Sequence, residues 1–231
     1  MPKKPPDFRV SPDSNRSWPR YNHRGIITLP ANPLLDPGAT VFTMGSCFAL
    51  EIRRWLGELG CQVVPAYADL EFDLARLRIG QLPKRLNLNH YHTFAIRQEI
   101  ERCLGIWQQS PDDHWEVRPD RWFGGEVAYQ DPYRRGIFAR TPDDLHQAIA
   151  DVDDVVRAGL ETADVFLITL GLTEVWRKRD DGRFACMTPG FARGGGKAET
   201  EFHASTLAEN VENLRRTVEL IGAARPTAQI V

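Results

Sequence analysis

Short apolar runs alternate along the chain with longer segments in which apolar residues recur at helical spacing. The first run spans residues 40–44 and is followed by a helix predicted from about Cys47 to Leu59. Gly60 is a typical helix stop, and residues 61–64 form the next apolar run. This stretch therefore predicts a βαβ unit with parallel strands. The helix stripe predicted to face the core consists of Phe48, Ile52, Trp55, Leu56 and Leu59.

Two further helices are predicted, and each leads into an apolar run. The first begins with Thr141 as its cap and Pro142 at its first position, and a strand over residues 165–170 follows it. The second begins with a capping box formed by Thr206 and Glu209. The predicted buried positions of the first helix are Leu145, Ile149, Val152, Val156 and Leu160. Those of the second helix are Leu207, Val211, Leu214, Val218 and Ile221.

Apolar strands that alternate with helices are typical of an α/β protein with a parallel sheet covered by helices on both faces. We expect residues 38–231 to form this α/β domain. The sequence stops within its last apolar run, residues 228–231, so we expect further C-terminal elements beyond Val231. The stretch from about residue 66 to 140 is too long for an ordinary crossover. It predicts an insertion over the sheet edge, either a structural cap or part of a substrate site.

Composition limits the functional class. Hydrophobic residues make up 42% and charged residues 26% of the 231, as in a soluble globular protein. Eight of the 16 prolines lie in residues 1–37, which predicts an extended N-terminal arm. The net charge of -2 argues against a nucleic-acid partner, and no apolar run reaches the ~20 residues that cross a membrane. Four widely spaced cysteines argue against a zinc site or disulfides and indicate a cytoplasmic protein without a metal or cofactor.

The turn after the first strand carries the most informative residues. A strand that turns directly into a helix exposes the turn side chain at the carboxyl edge of the sheet, where open α/β sheets bind ligands. Ser46 is predicted there, beside helix amides that can stabilise an oxyanion, and Gly45 permits close backbone approach. Ser46 is therefore either a nucleophile or only a helix cap. Cys47 is either a rival nucleophile or a core residue, and the usual burial of cysteine favours the core.

The other polar residues that stand out give weaker evidence for a functional site. His90 and His92 are two residues apart, which predicts side chains on one face of a strand. Because no third ligand is evident, surface or substrate-contact roles fit them better than a metal site. The pairs Arg134-Arg135 and Lys178-Arg179 are interpreted as solvated surface charges.

Several motifs together resemble one protein family. Residues 45–49 read G-S-C-F-A, and the chain from about residue 38 resembles the GSCFA family, which is grouped with the SGNH/GDSL esterases. The resemblance extends to residues 90–99, Asp131-Pro132, residues 139–141 and residues 169–176. It implies a three-layer, flavodoxin-like SGNH-hydrolase fold with Ser46 as the catalytic nucleophile.

The resemblance also implies which residues assist the serine. Gly171 and Thr173 stand where SGNH enzymes carry G-x-N-D, whose Asn side chain donates to the oxyanion. Thr173 can donate through its hydroxyl, together with the Ser46 N–H, whereas an ionised Glu174 cannot donate. Thr173 and Glu174 are alternatively a polar turn after a buried strand. His92 is kept as a substrate-contact candidate.

The resemblance implies a general base, but no D-x-x-H motif stands near the C-terminal end of this sequence. SGNH enzymes use a D-x-x-H near the C-terminus. The D-x-x-H from Asp143 to His146 precedes the third block and lies on the first turn of a helix, so we interpret it as unrelated to catalysis. His203 has Thr200 three residues before it, which breaks the pattern. We therefore expect the base after Val231.

Two functions follow from these residues and the resemblance. The first is a serine esterase that acts on a small or carbohydrate-linked ester, or the related O-acyltransferase, with Ser46 attacking the carbonyl and no cofactor. The second is a catalytically silent module of the same fold that binds a carbohydrate or a protein partner.

Overall fold

The computed structural model describes Leu35 and residues 38–70, 88–117, 127–186, 188–190 and 196–231, with only the backbone for Ala68. Residues 37–231 form one structural unit. The proline-rich arm predicted for residues 1–37 therefore lies, except for Leu35, outside the described residues.

The described residues form ten strands and four α-helices. In chain order the strands are β1 (Thr40–Met44), β2 (Gln62–Val64), β3 (Trp115–Val117), β4 (Ala128–Gln130), β5 (Phe138–Ala139), β6 (Val165–Ile168), β7 (Glu174–Lys178), β8 (Phe184–Ala185), β9 (Thr200–Ala204) and β10 (Gln229–Ile230). The helices are α1 (Cys47–Glu58), α2 (Thr93–Cys103), α3 (Pro142–Thr162) and α4 (Leu207–Ala224). Within the described ranges, no helix has both the length and the apolar character needed to cross a bilayer.

The central sheet is parallel and has four strands in the spatial order β10-β6-β1-β2. Phe42 of β1 pairs with Val64 of β2 on one side and with Phe166 of β6 on the other. Helix α1 lies in the connection from β1 to β2, α3 precedes β6, and α4 precedes β10. The predicted α/β class with a parallel sheet is confirmed.

The local signals at the helix ends are also confirmed. Thr141 accepts a hydrogen bond from the N–H of Asp144 at 3.1 Å. Thr206 and Glu209 form the predicted capping box. Gly60, just beyond α1, has a φ of 87°, the left-handed conformation that ends many helices. Short-range chemistry therefore sets where three of the helices begin or end.

Helix α3 supplies the largest predicted stripe of the core. All five of its predicted positions are buried, and Val152 and Val156 are fully so. They share one apolar cluster with Phe42 of β1 and Phe166 of β6. Because burying one large apolar side chain contributes roughly 1.5–3 kcal/mol, this cluster is a main source of stability.

The stripe predicted for α1 is largely wrong. Phe48, Trp55 and Leu59 are exposed, Phe48 with a relative residue exposure of 64%, whereas Ala49 and Arg53 are buried. Helical spacing alone does not say which face of a helix is buried, and here the buried face carries Ala49, Arg53 and Leu56. Arg53 is tolerated there because its guanidinium donates to the hydroxyl of Thr43 at 3.1 Å.

The stripe predicted for α4 is also largely wrong, although Ile221 is fully buried as predicted. Leu207 and Val218 are exposed, whereas Asn213 and Thr217 are buried. The Asn213 side chain donates to the hydroxyl of Thr93 in α2 at 3.3 Å, so its burial is compensated by a hydrogen bond.

The described residues of the predicted insertion form regular structure. It contains α2 and a three-stranded antiparallel sheet in the order β3-β4-β5. Helix α2 is buried along most of its length, and Ile96 and Ile100 belong to the same cluster as α3. The insertion is therefore part of the core. A second antiparallel sheet, β8-β7-β9, follows β6 in a stretch for which the sequence predicted no strands.

Two basic residues interpreted as solvated are in fact buried. Arg134 is fully buried, and its guanidinium donates to both carboxylate oxygens of Glu99 and pairs with Asp153 at 2.6 Å. The Lys178 ammonium is buried against the carboxylate of Asp113. Each buried charge thus faces an opposite charge, as buried ions require.

Candidate active site at the carboxyl ends of β1 and β6

Strand β1 ends in a sharp corner that holds Ser46 at the N-terminus of α1. Gly45 has a φ of 141°, and a Cβ at this position would lie 2.2 Å from the hydroxyl oxygen of Thr169. Only glycine fits such a corner. The Oγ of Ser46 accepts a hydrogen bond from the N–H of Phe48 at 3.3 Å, and the residue is 9% exposed. The predicted helix cap is present, on a largely buried serine.

Ser46 lies where the strand order of the parallel sheet reverses. From β1 the chain proceeds to β2 on one side, and β6 and β10 are added on the other side. Open α/β sheets bind ligands in a crevice beyond the carboxyl ends of the two strands that flank such a reversal. Ser46 follows β1 and residues 169–173 follow β6, so both segments border the crevice.

Thr169 joins the ends of the two strands. Its N–H donates to the carbonyl of Met44 at 2.9 Å, and its hydroxyl oxygen accepts from the N–H of Ser46 at 3.2 Å. The N–H of Ser46 therefore already has an acceptor. This contradicts the expectation that the same N–H stabilises an oxyanion in the present arrangement.

Gly171 brings the second segment against Ser46. A Cβ built on Gly171 would lie 2.8 Å from the carbonyl oxygen of Tyr91 and 3.6 Å from the Cβ of Ser46. Leu172 donates to the same carbonyl at 2.6 Å and fixes this approach. Within the described part of the chain, the N–H groups of Cys47 and Gly171 have no hydrogen-bond acceptor. Both amides are thus available to a ligand oxygen beside Ser46.

Thr173 and Glu174 lie at the start of β7. The carbonyl of Thr173 accepts from the N–H of Ser205 at 2.9 Å and from its hydroxyl at 2.8 Å. Glu174 is exposed and pairs with Ala204 in the β7–β9 ladder. Among the described residues, neither side chain is hydrogen-bonded to Ser46. Their role in a site stays a prediction.

Cys47 is exposed, which corrects the core position that its residue type favoured. It occupies the first position of α1, where the side chain next to Ser46 is open to reagents. The accessible thiol therefore remains a rival nucleophile.

His90 and His92 are both buried, which corrects the predicted surface position. His92 caps α2: its Nδ1 accepts from the N–H of Ala95 at 3.1 Å, and its Nε2 donates to the carbonyl of Ala185 at 2.8 Å. Burial lowers the pKa of His92 to about 4, so the ring is neutral near pH 7. Neither ring nitrogen is left for a substrate. His90 instead contacts Glu99 at 3.3 Å.

No described histidine is hydrogen-bonded to Ser46. His146 contacts the carbonyl of Pro111, and His203 pairs with Glu209 at 2.9 Å. In the part of the chain that the structure covers, no three His, Cys, Asp or Glu side chains form a group suited to a metal ion. The described residues therefore place an unactivated serine hydroxyl at the crevice.

Leu172 lines a cavity of about 130 Å³, and the preceding residue, Gly171, lies against Ser46. Its lining includes Tyr91, Arg135, Leu172, Glu174 and Trp176. Sequence reasoning gave Tyr91, Arg135 and Trp176 no role in a site, because they come from three distant segments. No local spacing would have brought them together.

The comparisons with known proteins agree with the motif around Ser46. The model of the GSCFA family matches residues 40–231. The chain belongs to the GSCFA family. The match begins at the first residue of β1 and includes the Ser46 corner and the segment after β6. No similar curated protein and no similar solved structure was found for this GSCFA protein.

Proposed function

We propose that this GSCFA protein is a serine esterase, or the related O-acyltransferase, with Ser46 as its nucleophile. The observation that carries the proposal is the position of Ser46 at the reversal of strand order, beside the unpaired amides of Cys47 and Gly171. When the four parallel strands are numbered 1 to 4 in chain order, their spatial order in the sheet is 2-1-3-4. This order supports the finer assignment to a flavodoxin-like SGNH fold.

The proposed reaction passes through an acyl-enzyme. The Oγ of Ser46 attacks the ester carbonyl carbon while its proton passes to a general base, and the amides of Cys47 and Gly171 bind the oxyanion. The alcohol leaves with the proton, and the acyl group stays on Ser46. Water or a second alcohol then attacks the acyl group, which gives hydrolysis or transfer. The base is proposed to lie outside the described residues.

A second candidate is a catalytically silent module that binds a carbohydrate or a protein partner in the same crevice. Two observations favour it: the N–H of Ser46 already donates to Thr169, and no described histidine reaches the serine. In this alternative Ser46 serves only as the cap of α1.

Labelling with a fluorophosphonate probe separates the two candidates. The esterase proposal predicts stoichiometric labelling of the wild-type protein, which Ser46→Ala abolishes. Ser110→Ala is the matched control, because Ser110 is exposed and its Oγ likewise accepts from the N–H two residues on, that of Asp112. Absence of labelling in the folded wild type would contradict the proposal and favour the binding module.

The free cysteines and the net charge bear on where the protein acts and on what it binds. All four cysteines are free thiols, which suits a reducing compartment, and we propose the cytoplasm as the location. The proposed partner is a small-molecule or carbohydrate ester rather than a nucleic acid.

A further inference from the structure

Tyr91, which lines the cavity, carries a hydroxyl whose direction of hydrogen bonding is fixed. The Tyr91 oxygen accepts from the side-chain amide of Asn89 at 3.0 Å and from the guanidinium of Arg135. A phenol oxygen that already accepts from two donors has its own O–H left to bond. Tyr91 and Arg135 both line the cavity. The Tyr91 hydroxyl is therefore preset as a donor to an acceptor oxygen of a ligand.

The other polar groups of the cavity have opposite charges. Arg135 stacks over the Tyr91 ring, with its guanidinium carbon 5.8 Å from the ring centroid, and donates to the Tyr91 hydroxyl oxygen. Glu174 provides an exposed carboxylate that accepts. A cavity with one cation and one anion favours neither sign of ligand charge. It instead offers donors and an acceptor to a neutral ligand with several hydroxyl groups.

The apolar lining and the size of the cavity further restrict the class of ligand that can bind. Trp176 presents an indole beside these polar groups, and Phe202 packs on it with ring centroids 5.9 Å apart. The volume of about 130 Å³ is close to that of the ~150 Å³ protein cavities that hold a benzene ring. A single six-membered ring therefore fits against the indole.

We infer that this cavity binds a neutral, hydroxylated six-membered ring, a monosaccharide unit, as the alcohol part of the ester, and that Tyr91 donates a hydrogen bond to it. The inference rests on the proposed function, because it assigns the ring to the alcohol side of the ester that Ser46 attacks. Leu172 lines the cavity and the adjacent Gly171 contacts Ser46, so the inference assigns the ester of the bound ring to the side of the cavity next to Gly171.

The test measures binding without turnover. Ser46→Ala protein is titrated, by ligand-observed NMR, with the methyl pyranosides of glucose, galactose, mannose and N-acetylglucosamine. Cyclohexanol and glucuronate serve as ring controls without the hydroxyl pattern or with a negative charge. We expect saturable binding of at least one pyranoside and neither control. Tyr91→Phe should weaken that binding about tenfold, as the loss of one hydrogen bond implies.

Matched variants keep the test specific. Tyr129→Phe removes the hydroxyl of another half-buried tyrosine, whose ring packs on His114, and should leave pyranoside binding unchanged. Trp55→Phe, at an exposed tryptophan on α1, is the control for Trp176→Phe, which should weaken binding. Thermal unfolding of each variant confirms that it is folded.

The outcomes separate this inference from the proposed function. It is overturned if no pyranoside binds, if cyclohexanol or glucuronate binds as well, or if Tyr91→Phe binds like wild type. Fluorophosphonate labelling of Ser46 without pyranoside binding would overturn the inference alone. Pyranoside binding by a protein that no probe labels would support the cavity assignment and contradict the esterase proposal.

Discussion

The backbone N–H of Ser46 donates to the hydroxyl of Thr169 at 3.2 Å, and this bond joins the ends of β1 and β6 at the candidate site. The position of the serine is thereby fixed by a neighbouring strand and not only by its own helix. It also occupies the amide that the family resemblance would assign to the oxyanion. The amides of Cys47 and Gly171 become the better candidates for that role.

The close contact at Gly45 gives a stability prediction. A Cβ there would lie 2.2 Å from the Thr169 hydroxyl and 2.3 Å from its carbonyl oxygen, at a φ that alanine rarely adopts. We expect Gly45→Ala to lower the free energy of unfolding by about 2–4 kcal/mol. Urea denaturation of the purified protein measures it.

Gly57→Ala is the control for that substitution. Gly57 lies in α1, and nothing is within 4 Å of a Cβ built there. The change should raise stability by about 0.5–1 kcal/mol, because alanine favours the helix. Equal effects of the two substitutions would show that the corner at Gly45 is not tight.

His92 gives a prediction about pH. Burial, aided by the nearby His90, lowers the pKa of His92 to about 4, against the opposing effect of its bond to Ala185. The unfolded chain therefore binds this proton more readily than the folded one. The contribution of neutral His92 to the free energy of unfolding is fully present above the unfolded pKa of roughly 6.5. It is lost as the pH falls towards 4, and the total loss is on the order of 3 kcal/mol.

Substitution isolates this effect from other titrating groups. His92→Asn keeps a side chain that caps helices well but removes the titration. Between pH 6.5 and 5, the free energy of unfolding of the wild type should fall more steeply than that of the variant. His146→Asn, at a half-buried histidine on α3, is the control for the loss of an imidazole elsewhere in the fold. Parallel slopes for wild type and His92→Asn would refute this role of the burial.

The buried pair of Glu99 and Arg134 gives a third prediction. Burial alone would raise the pKa of Glu99, but Arg134 and His90 reverse this and hold the pKa well below its usual range. Glu99→Gln removes the carboxylate that accepts from the Arg134 guanidinium, while the ion pair with Asp153 stays. We expect a loss of about 3–5 kcal/mol, measured by urea denaturation at pH 7.

An exposed ion pair provides the comparison. Glu212 pairs with Arg215 on the surface of α4, where water screens the charges. Glu212→Gln should leave the unfolding midpoint unchanged. A small effect of Glu99→Gln, similar to that of Glu212→Gln, would show that the buried cluster contributes little to stability.

The sequence predicted those parts of the fold that depend on short-range chemistry. The bounds of β1, the cap at Thr141 and the capping box at Thr206 each follow from residues within four positions of one another. The stripe of α3 was also predictable, because it has one apolar face with polar residues opposite. The Ser46 corner belongs to this group, since a strand, glycine and helix start adjoin in sequence.

The remaining features depend on packing between distant segments. Arg53 of α1 and Asn213 of α4 are buried because Thr43 and Thr93 supply hydrogen-bond partners that no local pattern reveals. His92 looked like a surface residue because its acceptor, Ala185, lies 93 positions away. The cavity combines residues from 91–92, 135, 172–176, 186 and 188, and no local pattern indicates that these segments meet.

The central claim is that Ser46 carries the acyl group, and trapping that group tests it most directly. Protein with Cys47→Ala, which removes the exposed rival thiol, is mixed with p-nitrophenyl acetate, quenched in acid at times from milliseconds to minutes, and mapped by peptide mass spectrometry. The account predicts one acetyl group on the peptide that contains Ser46, which Ser46→Ala removes and Ser110→Ala does not. A folded protein whose Ser46 peptide is unmodified at every quench time would contradict it.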